Sequence, residues 1–181
     1  MHFEVEHVVD APVEAVEAAM FHPGYVAFLL ERSDLLTSHD VKWFEDDGAQ
    51  IRRRVRLSPR PAFDRIGSKR VPPEWFEFVE ESTWDRQGRK LSFENIPTTL
   101  KIANRVVNRG ELTLEALAPG KTKRRTCGEI RLRDLPLLAR PLAPLIEQVL
   151  AREAKRMFEA EARVLEAWLA QQAPRARLAQ A

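Results

Sequence analysis

Apolar and polar residues alternate along most of the chain, and near its end this alternation gives way to a helical spacing. Alternation with a period of two predicts β-strands. It covers residues 2–9, 38–45, 50–58, 74–85, 90–96, 104–117 and 121–133. From 142 to 172 the apolar residues recur every three or four positions, which predicts one amphipathic helix of about 46 Å. Two short helices are predicted over 11–21 and 25–32, because His22-Pro23-Gly24 interrupts the helical pattern between them.

The order of these elements predicts the fold class. One strand is followed by two short helices, six strands and the long helix, and the short connections between strands favour antiparallel pairing. The apolar stripe of the long helix must be buried, and only the sheet is large enough to cover it. We therefore predict an α+β protein in which a curved antiparallel sheet of about seven strands wraps around the C-terminal helix. No linker divides the chain, so we expect a single domain over 1–172 and a disordered tail over 173–181.

The composition narrows the functional classes. The chain has 181 residues, of which 44% are hydrophobic and 31% charged, and its net charge is +2, as in ordinary soluble globular proteins. The single cysteine, Cys127, cannot form a disulfide within the chain, and neither a membrane span nor a signal peptide is visible, so we expect a cytoplasmic protein. The histidines lack metal-ligand spacing and no glycine-rich phosphate loop is present, so we expect no metal and no cofactor.

The element order resembles the helix-grip fold of the START-like superfamily, which includes polyketide cyclases of the aromatase/cyclase type and Bet v 1-like plant allergens. The matching segments are the closing helix, His2-Phe3-Glu4-Val5-Glu6-His7 and Asp10-Ala11-Pro12-Val13-Glu14-Ala15-Val16. The resemblance spans residues 2–170 and is nearest to a bacterial branch of that superfamily. It implies a deep apolar cavity between sheet and helix that holds a lipid, a sterol, a polyketide or a similar molecule. Because the family differs widely in chemistry, the fold does not define the function.

Two charged residues interrupt strand faces that are otherwise apolar. Arg53 shares its face with Val55, and Glu80 shares its face with aromatic residues. Glu153 lies in the middle of the apolar stripe of the long helix. Such charges must pair or reach water, so we expect Arg53 to pair with Glu80 or Glu153. In a ligand site they would orient a polar head group; alternatively, they form a structural ion pair or extend to the cavity mouth. The predicted ligand-binding residues are Arg53, Val55, Phe76, Phe78, Glu80, Trp84, Ile130, Val149, Glu153 and Met157.

The longest connection between predicted strands, residues 59–73, lies at the expected cavity rim. It contains Phe63, Ile66 and several basic residues. These features suit a lid, or brief docking on an anionic membrane. The alternative is that both apolar side chains pack onto the body of the protein.

Three functions are consistent with these patterns. The leading prediction is a carrier or sensor that binds a hydrophobic, lipid-like small molecule in the cavity. The alternative is a cyclase, dehydratase or hydrolase in which Glu80 or Glu153 acts as general acid or base and Arg53 holds an oxyanion. The third is nucleic-acid binding through the outward row Arg52, Arg54 and Arg56. We do not expect it, because the net charge is only +2 and no nucleic-acid motif is present.

Overall fold

The computed structural model describes residues 1–181 except 35, 62–64, 67, 136, 138–139 and 179–181. The side chains of 66, 69, 101–102 and 173–178 also lie outside the description. No helix in the described part of the chain is long and apolar enough to span a membrane.

The protein contains a seven-stranded antiparallel sheet, as the alternation predicted. The strands are β1 (His2–Val9), β2 (Leu36–Asp46), β3 (Gln50–Pro59), β4 (Arg65–Ile66), β5 (Lys69–Arg70), β6 (Phe78–Asp85), β7 (Lys90–Pro97), β8 (Val106–Ala118) and β9 (Lys121–Leu132). The order in the main sheet is β1-β9-β8-β7-β6-β3-β2, so β1 and β2 are its edges. The small hairpin β4-β5 forms a separate sheet within the connection that was expected to be a loop.

The helices are α1 (Val13–Met20), α2 (Pro23–Arg32), α3 (Leu100–Ala103) and α4 (Ala143–Leu178). The break between α1 and α2 has a specific cause. Pro23 occupies the first turn of α2, and Nδ1 of His22 accepts a hydrogen bond from the backbone N–H of Gly24 at 3.0 Å. The long helix α4 packs along β1 and β9. A curved antiparallel sheet, a long C-terminal helix and two short helices after the first strand make this a helix-grip α+β fold.

One predicted strand begins later than its pattern indicated. The period-two pattern starts at residue 74, but Pro73–Phe76 forms a 3₁₀ helix and β6 begins at Phe78. Pro72 and Pro73 explain the difference, because proline has no N–H to donate to a sheet. Phe76 therefore precedes the strand on which it was placed.

The tightly packed part of the core lies between the C-terminal half of α4 and the short helices. Trp168 of α4 contacts Tyr25 and Phe28, with ring centroids 6.0 and 5.3 Å apart. Leu165 and Trp84 are fully buried in the same cluster. Each buried large apolar side chain contributes about 1.5–3 kcal/mol, so this half of the helix is firmly held to the sheet.

Candidate ligand-binding site

A group of polar side chains lies on the inner face of the sheet, the face turned toward α4. It consists of His39 on β2, Arg53 on β3, Glu80 and Ser82 on β6, and Asn95 on β7, and we refer to it as the inner polar cluster. The strand register brings these residues together. Arg53 lies opposite Ser82, and Glu80 lies opposite Asn95.

Hydrogen bonds hold the centre of the inner polar cluster. Arg53 donates from Nε to Oγ of Ser82 and from Nη2 to Oε1 of Glu80, both at 3.1 Å. Ser82 in turn donates to Oε1 of Glu80 at 2.9 Å. The guanidinium also lies over the ring of Phe21, 5.4 Å from its centroid. Charge-assisted hydrogen bonds and a cation–π contact together fix the orientation of Arg53.

Two members of the inner polar cluster have hydrogen-bonding capacity to spare. Nδ1 of His39 and Oδ1 of Asn95 are buried and make no hydrogen bond with any described residue. Burial, and secondly the charge of Arg53, lower the pKa of His39 below its ordinary 6.5, so its ring is neutral at pH 7. An unsatisfied buried polar group costs about 1–3 kcal/mol, so these atoms favour a partner such as water or a ligand.

The inner polar cluster is not sealed from solvent. The side chains of Arg53 and Glu80 are 18% and 16% exposed. On the edge strand β2, Val41 lies opposite Val55 and Phe44 lies opposite Arg53, so both face inward, yet they are 47% and 49% exposed. The described residues therefore leave about half of these two side chains uncovered, and an apolar rim borders the cluster.

Three aromatic side chains, Phe3, Phe93 and Phe158, pack together between α4 and the sheet, and we call them the aromatic plug. Phe158 of α4 packs against Phe3 and Phe93, with ring centroids 5.8 and 5.9 Å apart. Gly128 and Gly110 lie opposite each other beneath the rings of Phe3 and Phe93, which approach the backbone closely because the glycines have no side chain. The interior is thus filled from Phe158 to the C-terminal half of α4. Among the described residues, packed side chains thus occupy the part of the interior in which the family resemblance implied a deep cavity.

Most of the predicted ligand-binding residues lie on the inner face. Val55, Trp84 and Ile130 are buried there, and Phe78 is half-buried. Trp84 packs beneath Phe21, at 5.9 Å between centroids, as part of the core. Val149 and Met157 are half-buried on α4.

The structure distinguishes the two partners expected for Arg53. Glu80 pairs with it, whereas Oε2 of Glu153 lies 3.4 Å from Nε of Arg156, on the same helix. In the predicted lid, Phe63 and the side chain of Ile66 lie outside the described residues.

A second interior ion pair, Arg124 with Glu161, was missed by the sequence reading. Arg124 on β9 is 2% exposed and pairs with Glu161 of α4, whose backbone carbonyl accepts from the hydroxyl of Tyr25 at 3.4 Å. Burial raises the pKa of Tyr25 well above its ordinary range. The alternation of β9, extended back from Thr126, places Arg124 inward and could have revealed it. In the same way, Asn95 continues the inward series of Leu91 and Phe93.

The outer face of the sheet offers a different surface. A trough of about 910 Å³ crosses it and is lined largely by charged residues. The outward row Arg52, Arg54 and Arg56 is paired with Glu45, Glu81 and Glu77, at 3.4, 2.6 and 2.6 Å. These pairs neutralise the cations that the nucleic-acid hypothesis requires. The described residues contain no group of three or more side chains suited to hold a metal ion.

The sheet order and the long α4 define a helix-grip fold of the kind found in START superfamily proteins. The chain belongs to the family described as Protein of unknown function (DUF2505), whose sequence model matches residues 4–169. No curated protein matches the chain.

Solved structures of the same fold cover most of the chain. The aromatase/cyclase ZhuI from Streptomyces sp. R1128 is 14% identical, with a TM-score of 0.67 over 96% of this chain and 95% of that one. A START superfamily protein from Mycobacterium smegmatis is 12% identical, with a TM-score of 0.56 over 94% and 97%. Norcoclaurine synthase from Thalictrum flavum, in complex with dopamine and hydroxybenzaldehyde, is 14% identical, with a TM-score of 0.54 over 91% and 86%. At such identities the similarity establishes the fold alone.

Proposed function

We propose that this protein binds a hydrophobic small molecule with one polar end, between the inner face of β3, β6 and β7 and the N-terminal half of α4. The observation that carries this proposal is the inner polar cluster. It places an oriented guanidinium and two unsatisfied polar atoms, on His39 and Asn95, among apolar side chains.

The chemistry of the cluster specifies the orientation of the ligand. A carboxylate, phenolate or carbonyl oxygen would accept from Arg53, while neighbouring polar atoms of the ligand would satisfy His39 and Asn95. The apolar body would lie against Phe78 and the half-buried stripe of α4 that includes Met157. A site with apolar walls and a few fixed polar groups is typical of small-molecule binding.

Two proteins of the same fold support this reading. One is an aromatase/cyclase, and another was solved with dopamine and hydroxybenzaldehyde. Their low identity transfers neither substrate nor mechanism, so the ligand class rests on the residues of this chain.

The test compares two ion pairs that join the same two strands. The inner pair is removed in Arg53→Met/Glu80→Gln, and the outward pair in Arg54→Met/Glu81→Gln. Freshly purified protein is examined by native mass spectrometry and solvent extraction, and the affinity for cis-parinaric acid is measured by fluorescence. We expect the wild-type protein to contain a bound apolar molecule. The inner variant should bind the probe about tenfold more weakly than wild type, and the outer variant should bind it within about twofold of wild type. Absence of any bound molecule together with no retained probe, or equal losses in both variants, would refute the proposal.

A second candidate function is catalysis at the same cluster, and the state of His39 favours it. A neutral imidazole with an unpartnered Nδ1 beside a fixed guanidinium is suited to remove a proton while Arg53 stabilises the resulting anion. The extracted ligand, incubated with ligand-free protein, distinguishes the two functions by its mass spectrum or its isomer distribution. A carrier returns it unchanged. An enzyme converts it, and His39→Gln abolishes the conversion while the protein still binds.

A further inference from the structure

One end of the molecule exposes apolar side chains at separate points along the chain. This is the end where β7 and β9 finish and where β6, β8 and α4 begin. Its exposed apolar residues are Trp75, Leu100, Leu137, Leu142 and Leu145, with 37%, 90%, 75%, 46% and 59% of their surfaces accessible. We call this end, with its flanking basic residues, the docking face.

Hydrogen bonds between the segments hold the docking face together. Oγ1 of Thr99, next to Leu100, donates to the carbonyl of Glu74, next to Trp75, at 3.0 Å. The N–H of Arg133 donates to the carbonyl of Arg105 at 2.7 Å. These bonds bring Leu100 close to Trp75 and join residues 97–105 to the segment that leads into Leu137, Leu142 and Leu145.

The charge of the docking face differs from that of the rest of the protein. Its three segments lie within residues 60–76, 97–105 and 133–145, and their described side chains include six basic and two acidic ones, whereas the whole chain has a net charge of only +2. The remainder of the protein is therefore net acidic.

The arginines of the docking face are also unpaired. Arg60, Arg65, Arg70, Arg105, Arg133 and Arg140 are exposed, and none forms an ion pair with a carboxylate among the residues described. By contrast, the arginines of β3 are each paired.

We propose that the docking face binds the surface of an anionic lipid bilayer. Exposed leucines suit insertion among acyl chains and an exposed tryptophan suits the headgroup level, while arginines that no described carboxylate pairs with suit contact with lipid phosphates. A partner protein of ordinary composition would leave several of these arginines without carboxylates. The ligand site proposed above would lie toward the same end, because Glu80 is near the start of β6 and Asn95 is near the end of β7.

Vesicle co-sedimentation tests the proposal. Full-length protein is mixed with phosphatidylcholine vesicles, alone or with phosphatidylglycerol at about 30 mol %. We expect binding to the anionic vesicles only, and a decrease as salt is raised. Leu100→Glu/Leu137→Glu and Arg133→Glu/Arg140→Glu should each weaken binding at least about tenfold. The matched control, Leu117→Glu/Lys121→Glu, changes an exposed leucine and a cation at the opposite end of the sheet, and it should bind within about twofold of wild type.

Several outcomes would overturn the proposal. Three of them concern vesicles: equal binding to neutral and anionic vesicles, no binding at all, or a loss of binding in the control variant as large as in the docking variants. The fourth is self-association of the wild-type protein that Leu100→Glu/Leu137→Glu abolishes, which would make the docking face a dimer interface. Circular dichroism of each variant establishes that it is folded. Uptake of cis-parinaric acid without vesicles separates the two proposals, since the docking variants should keep it. Vesicle binding without probe uptake would reject only the ligand site.

Discussion

Replacing Gly110 by alanine should destabilise the protein more than the same change at Gly128, although the two glycines lie opposite each other on β8 and β9. A Cβ at Gly110 would lie 2.3 Å from the carbonyl oxygen of Cys127 and 2.9 Å from the Cα of Gly128. Both atoms belong to the neighbouring backbone and cannot move without disturbing the ladder. A Cβ at Gly128 would instead lie 2.4 Å from Cζ of Phe3, which is the far end of a side chain.

The expected magnitudes follow from what each neighbour can do. Overpacking costs about 1–3 kcal/mol where side chains can shift. Replacing glycine by alanine also stabilises the protein by about 0.4–1 kcal/mol, because it reduces the conformational entropy of the unfolded chain. We therefore expect Gly128→Ala to lower the free energy of unfolding by about 1–2 kcal/mol. For Gly110→Ala, whose obstruction is backbone, we expect about 3 kcal/mol or more.

A second substitution in each background makes the comparison specific. Phe3→Leu removes the ring atoms that obstruct Gly128→Ala, so the double variant should be about as stable as Phe3→Leu alone. Phe93→Leu should not rescue Gly110→Ala, because the contact with the oxygen of Cys127 remains. Urea unfolding followed by far-UV circular dichroism gives these free energies. If Gly110→Ala unfolds within about 0.5 kcal/mol of wild type, or Phe93→Leu rescues it fully, the proposed packing of the aromatic plug is wrong.

Three further predictions concern the site and its surroundings. Because the pKa of His39 is lowered on folding, the contribution of neutral His39 to stability should be complete above about pH 6.5 and should be lost as pH falls toward the folded pKa. In urea unfolding, the free energy of unfolding of His39→Gln should therefore fall less steeply with decreasing pH than that of wild type. An equal dependence on pH would contradict this. The hydrogen bond from Arg86 lowers the pKa of Asp46 to about 2, so the contribution of this ion pair to stability should be lost as pH falls below 3.8, the ordinary pKa of the carboxyl. If Arg86→Met unfolds in acid at the same pH as wild type, this prediction is wrong. Phe158→Ala should lower the free energy of unfolding by about 2–4 kcal/mol, as measured by urea unfolding. It should also increase the amount of apolar probe that the protein binds in a fluorescence titration. An unchanged amount would argue that Phe158 does not bound the interior.

The alternation of apolar and polar residues was sufficient to predict the sheet, because one face is buried along nearly every strand. It placed Arg53 and Glu80 on the inner face correctly, since each lies on a strand without a bulge. The partner of Arg53 could not be chosen between Glu80 and Glu153 in this way. That choice depends on the register between β3 and β6, and on the position of α4, neither of which a periodic pattern contains.

Two features of the site are invisible to periodicity for physical reasons. The register of β2 shifts between Val41 and Trp43, so Val41 and Phe44 share a face although they are three residues apart. The packing of the interior depends on how closely the rings of Phe3 and Phe93 approach the backbone of β9 and β8, and the two glycines that permit this approach lie on those other strands. Packing in three dimensions, rather than the pattern along the chain, determines the volume that remains.

The basic residues between Arg52 and Arg70 fall into two groups with different partners, and the sequence alone does not show this. On β3 the carboxylates of neighbouring strands neutralise its arginines, whereas beyond Pro59 no described carboxylate pairs with them. The same cluster of positive charge thus has a part that carboxylates neutralise and a part for which the described residues supply no carboxylate. Local sequence cannot separate them, because Glu77, Glu80 and Glu81 lie more than twenty residues away.

The two halves of α4 are attached to the rest of the protein by different contacts, and this bears on how the proposed ligand site would open. Arg124 and Glu161 form an ion pair whose disruption would leave a buried charge without a partner, which costs about 3–5 kcal/mol. In the described part of the N-terminal half, the corresponding ion pair is the less buried one between Glu147 and the N-terminal amine, at 3.5 Å. Glu147 also accepts from the N–H of Leu132 at 2.8 Å, and Val149 and Leu150 are only half-buried. We therefore expect displacement of the first turns of α4 to require less free energy than lifting the helix as a whole. Those turns border the docking face, so a bilayer that contacted Leu142 and Leu145 would act on the part of the helix that moves most easily.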